Sequence, residues 1–169
     1  MATGPRYKVA FRRRRENRTD YYARRKLLAA REARAIVRRS NKNITIQFAE
    51  FDMEGDKVLA AASTRELKAL GWEYSCSSIP AAYLVGYLAG KKAIKAGIEY
   101  AVLDIGMQTV QYGGVLFATV AGMTDAGLEV PHGEDVLPDE DRILGKHIDE
   151  GIEAAVNSLK EKMEAEENG

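Results

Sequence analysis

The residues best equipped for chemistry cluster at the amino-terminal end. Arg6, Lys8, the run Arg12, Arg13, Arg14 and Arg15, then Arg18, Arg24, Arg25, Arg38, Arg39 and Lys42 are interleaved with Tyr7, Phe11, Tyr21 and Tyr22. A guanidinium presents a planar fork that donates two parallel hydrogen bonds to a phosphate, and both it and an aromatic ring stack on unpaired bases. The combination points to nucleic acid. RNA is favoured over DNA, because no helix-turn-helix, zinc finger or basic zipper pattern is present. A merely solvated face would mix signs, whereas residues 1–42 hold 15 Lys/Arg against Glu16, Asp20 and Glu32 alone. Residues 43–169 reverse the balance with 10 basic and 22 acidic side chains, so the formal charge of zero is a cancellation of +12 and −12.

Catalytic patterns are weaker. The stretch Gly86 to Ala93 (GYLAGKKA) has three residues between its glycines where a phosphate-binding loop has four, lacks Ser/Thr after the lysine, and lies in a helical pattern. Lys91, Lys92 and Lys95 read as a solvated helix end, with a secondary RNA contact as the alternative. Asp104 ends a short strand beside a glycine-containing loop and has two readings. With Asp52 or Glu50 it could serve a two-metal nuclease. Alternatively it caps the Gly106 loop through a backbone hydrogen bond, which the spacing favours. His132 and His147 are isolated, Ser75, Ser77 and Ser78 form no nucleophile elbow, and Cys76 reads as a small core residue.

The elements that must position these groups follow from periodicity. Residues 1–18 show no helical or strand period and are expected to order on their target. Thr19-Asp20 predicts a helix start, with a short helix over residues 21–31. Ala35 to Val37, a turn at Ser40 to Asn43, the alternating Ile44 to Phe48, a turn at Glu54 to Asp56 and a strand from Lys57 to Ser63 predict a three-stranded antiparallel meander. Ile44, Ile46 and Phe48 should face inward, Thr45 and Gln47 outward. A helix from about Ser78 to Gly97 carries Ala82, Gly86 and Gly90 at every fourth residue, a spacing that lets it approach a sheet closely. A strand over Glu99 to Ile105, a loop from Gly106 to Gly114, a helix over Val115 to Asp125, a last strand at Leu128 to Pro131 and an acidic helix from Leu144 to Glu164, fraying at its end, complete the order. After Pro138, the acids Asp139, Glu140 and Asp141 read as a first helical turn. The fold class is α/β, with a mixed sheet flanked by helices and an extended basic arm.

Composition closes other routes. The 169 residues provide one domain's worth of core beside the arm, and the apolar stretches are shorter than the ~20 residues of a membrane span. Arg6 to Arg18 occupies the place of a signal peptide's apolar segment, so export is not expected. One cysteine excludes an internal disulfide and a thiolate zinc site, and a reducing, cytoplasmic setting is the default. The chain divides into a basic arm and short helix (1–34), an α/β body (35–137) and an acidic carboxyl-terminal segment (138–169).

Five blocks, RRRRENRTDYYARRKLL, AIVRRSNKNITIQF, AAYLVGYLAGKKAIKAGI, AVLDIG and DAGLEVPHGEDVLPDEDRILGKHI, occur in that order over nearly the whole chain. Together they resemble the archaeal and eukaryotic branch of the large-subunit ribosomal protein family numbered eighteen. The resemblance implies a non-enzymatic protein that binds 5S rRNA and helps attach it to the 23S-type rRNA in the central protuberance, among neighbouring ribosomal proteins. It also implies a ribonuclease-H-like fold and no cofactor, metal, membrane or small-molecule substrate. The family's RNA contacts correspond to Arg6 to Asp20 and Arg38 to Lys42, which brings Thr19, Asp20, Ser40 and Asn41 into the candidate set. Asn17 stands where relatives often have glycine, which puts a tight turn there in doubt, and Glu32-Ala33 where proline is frequent. A variant of this reading makes the body the specific reader, through Thr45, Gln47 and the Gly106 to Gly114 loop, with the arm supplying affinity alone.

Overall fold

The computed structural model describes residues 4–165; Met1 to Thr3 of the arm and the last four residues of the acidic tail lie outside them. The strands β1 (Arg34–Arg39), β2 (Ile44–Glu50) and β3 (Lys57–Ser63) form the antiparallel meander, and β4 (Val102–Asp104) lies parallel to β1, giving the sheet order β3-β2-β1-β4. A parallel neighbour needs a crossover, and the helices α3 (Thr64–Ala69) and α4 (Ile79–Lys95) supply it. Ile44, Ile46 and Phe48 are fully buried under α4, while Ile36, Thr45, Gln47 and Ser63 share the part-exposed opposite face. The alternation along β2 therefore settled which face is the core.

The helix α3 was not anticipated, although its signal was present. The Ser63 hydroxyl accepts from Arg65 N while the Glu66 carboxylate accepts from Ser63 N at 2.9 Å, a reciprocal capping box. Thr64 ties it to the sheet by accepting from Ile44 N at 3.0 Å.

In α4, capped by Ser78, 12 of 17 residues are buried, so it is a core helix covered on several sides. Its small residues serve a different neighbour from the one expected. A Cβ on Gly86 would stand 2.2 Å from the Thr119 carbonyl oxygen, and one on Gly122 would stand 2.1 Å from that of Tyr83. The glycines thus let α4 pack backbone to backbone on α5 (Val115–Asp125), and not on the sheet. A Cβ at either position would force the two helices apart.

The expected last strand reduces to a single parallel bridge between Tyr100 and Glu129, where Ala101 and Glu129 donate to the carbonyls of Glu129 and Glu99. Pro131 follows and has no N–H with which to continue a ladder. The expected carboxyl-terminal helix is also interrupted. One turn, α6 (Glu140–Ile143), has Asp139 at its N-cap and Glu140 and Asp141 in its first turn; the chain then bends at Gly145, φ +72°, before α7 (Glu150–Ala165). Glycine adopts that angle freely, whereas most side chains are strained there. On α7 Ile152, Val156, Leu159 and Met163 are buried against the body. Hydroxyls reinforce the seam, with Tyr83 donating to Asp125 at 2.6 Å and accepting from Lys160 at 3.0 Å, and Tyr87 donating to Glu164 at 2.8 Å. Burial, then the hydrogen bond to Asp125, pushes the Tyr83 phenol above its ordinary pKa.

Candidate nucleic-acid interface

Most of residues 4–31 are exposed. One helical turn, α1 (Arg12–Arg15), buries no residue, and no residue of α2 (Tyr21–Ala29) is fully buried. Asn17 adopts φ +49° and its N–H donates to Arg14 O at 3.1 Å, so the tight turn is made without glycine; asparagine is among the few residues that tolerate that region. Asp20 caps α2 by accepting from Tyr22 N at 2.9 Å and Ala23 N at 3.2 Å, and Thr19 accepts from Arg13 Nε at 2.9 Å. Both side chains thereby shape the arm.

Phe11 and Tyr22 are 80% and 72% exposed, and Tyr7 and Tyr21 are also exposed. Phe11 meets Tyr21 edge-on at 6.1 Å, and Lys26 lies over the Tyr22 ring. Among the described residues Arg6, Lys8, Arg14, Arg15, Arg25 and Lys42 have no acidic partner, while Arg12 and Arg18 lie 3.9 and 3.6 Å from Glu16. Such exposed pairs are weak and exchange readily with other anions.

Arg24 and Arg38 differ, because carboxylates of the body hold them. Arg24 Nη2 donates to both oxygens of Asp56 at 2.9 Å. Arg38 Nη2 donates to Asp104 Oδ1 at 3.0 Å, and its Nη1 donates to the Asp104 carbonyl at 2.7 Å. Between the two carboxylates lies Arg34, 1% exposed, with Nη1 on Asp104 at 3.1 Å and Nη2 paired with Asp56 at 2.7 Å. That second contact is an ion pair off the hydrogen-bonding axis, and Arg34 Nε has no protein partner. Burial would raise the Asp56 pKa, but the guanidiniums of Arg34 and Arg24 beside it outweigh that and hold the carboxyl below its ordinary range. The chain of charges joins the arm helix to the sheet. Arg34 and Asp56 were missed as site residues because their partners are distant in sequence.

Asp104 also accepts from Gly106 N at 2.9 Å, the capping role preferred on sequence grounds. With its oxygens occupied by two guanidiniums and an amide, it is a structural anion. Asp52 and Glu50 lie in or beside the exposed end of the β2–β3 hairpin.

The RRSNK turn and the Gly106 to Gly114 loop come together. Ser40 closes the turn with Asn43, and Gln108 accepts from Arg39 N at 2.9 Å while donating to Val37 O and Ile105 O, each at 2.8 Å. A cleft of about 450 Å³ results, lined by Arg39, Ser40 and Asn41 on one side and Gln108, Thr109 and Gln111 on the other. Gln47 is half-buried on the open face of the sheet.

The structure is a four-stranded mixed sheet with helices packed on one face, and the carboxylates of Asp56 and Asp104 fasten arginines to it. Residues 5–99 match the family described as "Ribosomal large subunit proteins 60S L5, and 50S L18". Relatives named "Large ribosomal subunit protein uL18" include one from Korarchaeum cryptofilum, 49% identical over 98% of this chain and 81% of the relative. Those from Methanoregula boonei and Haloferax volcanii are 52% and 51% identical, over 88% and 90% of this chain and 85% and 83% of theirs. The chain belongs to this family of large-subunit ribosomal proteins, and it is not an enzyme.

Proposed function

We propose that the chain is a structural constituent of the large ribosomal subunit in the cytoplasm, where it binds 5S rRNA and helps attach it to the 23S-type rRNA of the central protuberance, beside neighbouring ribosomal proteins. The observation that carries the reading is the family match over a chain whose amino-terminal arm holds unneutralised, solvent-exposed arginines interleaved with exposed aromatic rings. The strand order, with β4 followed by the Tyr100–Glu129 bridge on its far edge, supports a ribonuclease-H-like topology. The contacts proposed are the arm from Arg6 to Arg25 and the turn from Arg38 to Lys42, with Gln47 as an outlying member. Residues 1–34 act as the RNA-binding arm, 35–137 as the docking body and 138–169 as an acidic helical segment packed on that body.

The arm supplies counterion release, and the cleft at Arg39 and Gln108 favours a second contribution, in which the body reads the RNA. Chemical footprinting and titration of 5S rRNA against tRNA test the reading. The full chain should protect a defined 5S region and prefer it over tRNA; equal binding to both RNAs contradicts the 5S assignment. If a chain lacking residues 1–18 keeps the preference, the body is the reader.

A further inference from the structure

A second cleft, of about 490 Å³, lies between the arm helix and the edge of the sheet. Ala23 and Leu27 of α2 form one apolar wall; Leu103 and Ile105 form the other. Arg18, Lys26 and Arg38 line it as well, and their charges are unevenly used. Among the described residues Lys26 meets only the Tyr22 ring, and Arg18 only Glu16 at 3.6 Å. Arg38 is 46% exposed yet already fixed, since three hydrogen bonds hold it to Val37 O and Asp104. Gly106 makes room for it, because a Cβ there would stand 2.9 Å from the Arg38 Cζ. The carboxylates in the cleft already have partners: Asp20 caps α2, and Asp104 binds Arg34, Arg38 and the Gly106 amide.

An apolar slot rimmed by three cations, Arg38 fixed by Asp104, suits a ligand with a ring at one end and a phosphate at the other, and the volume falls within the roughly 300–1,000 Å³ of small-ligand sites. A guanidinium immobilised in advance loses little freedom when it binds phosphate. We propose that this cleft holds one nucleotide extruded from the bound RNA, its phosphate on Arg18, Lys26 and Arg38 and its ring against Ala23 and Leu27. The proposal rests on the RNA-binding reading above; a free nucleotide shares the same chemistry.

Ala23→Glu sets a carboxylate into the cleft from an exposed position, and Ala29→Glu makes the same change of charge on the same helix outside it. With melting temperatures matched, titration of full-length variants with 5S rRNA at one salt concentration should show Ala23→Glu weakened at least about tenfold and Ala29→Glu by about twofold or less. Ala23→Lys should bind as the unaltered chain does, or more tightly. Equal losses in the two glutamate variants overturn the proposal. Adenosine monophosphate is the second probe. If it binds in a manner sensitive to Ala23→Glu while RNA affinity is not, the cleft serves a free nucleotide and the RNA assignment is overturned. Loss of 5S preference over tRNA in the unaltered chain would overturn the 5S reading alone, since the difference between the glutamate variants can be read on whichever RNA binds.

Discussion

Arg34 and Arg14 are the same side chain put to opposite uses. Arg34 is 1% exposed and shared between Asp56 and Asp104, so its charge is consumed inside the protein. Arg14 is exposed on a helical turn that buries nothing and has no acidic partner among the described residues, so its charge remains for another molecule. Burial and partner decide the role, not residue type. Removing a buried charge leaves its partners uncompensated, whereas removing an exposed one changes only what is bound from outside.

The sharpest way to break the comparison is Arg34→Ala, which leaves Asp56 with Arg24 alone and takes from the buried Asp104 oxygen Oδ2 its guanidinium partner. It should destabilise the fold by about 3–5 kcal/mol, measured by urea unfolding, and a loss under about 1 kcal/mol would show the network to be dispensable. Smaller, and on the other side of the comparison, Arg14→Gln with Arg15→Gln should leave unfolding unchanged. That pair should reduce the slope of log K against log salt for 5S rRNA by about 2, close to one unit for each lost phosphate contact. A shifted melting temperature in that variant would mean the arm is part of the fold. Next, Tyr83→Phe removes the hydroxyl between Asp125 and Lys160 and should cost about 1 kcal/mol without altering RNA affinity.

The smallest effect concerns pH. Asp56 has its folded pKa depressed, so the ionised form favours the folded state, and its contribution is complete above the unfolded value near 4. It fades as pH falls through the depressed folded value. The gap in melting temperature between the unaltered chain and Asp56→Asn should therefore be constant from about pH 7 to 5 and narrow below about pH 4. A gap that widens on acidification would contradict the assignment.

How much of this was legible in the sequence depended on range. The alternation of Ile44, Ile46 and Phe48 and the helix start at Thr19-Asp20 are local signals, and each led to the element observed. The Ser63 to Glu66 capping box was equally local and went unread, and Gly145 marked the break between α6 and α7. The partner of the Ala82, Gly86 and Gly90 face was not legible, because a small-residue stripe states that something approaches closely without stating what. The same holds for Arg34, whose partner Asp104 is 70 residues away. Within RAIVRR nothing distinguishes the buried arginine from the exposed ones; only the folded sheet, which sets β4 beside β1, does so.

The central claim is that the exposed amino-terminal arginines bind RNA by releasing counterions while Arg34, buried in the sheet, spends its charge inside the protein. It is tested most directly by titrating 5S rRNA at several salt concentrations with the full chain and with a chain lacking residues 1–18. About eight phosphate contacts give the full chain a slope of log K against log salt near −6 or −7, and the truncated chain, short of seven Lys/Arg, should show a much shallower one. A flat response from the full chain, or the same slope from both, would contradict the account.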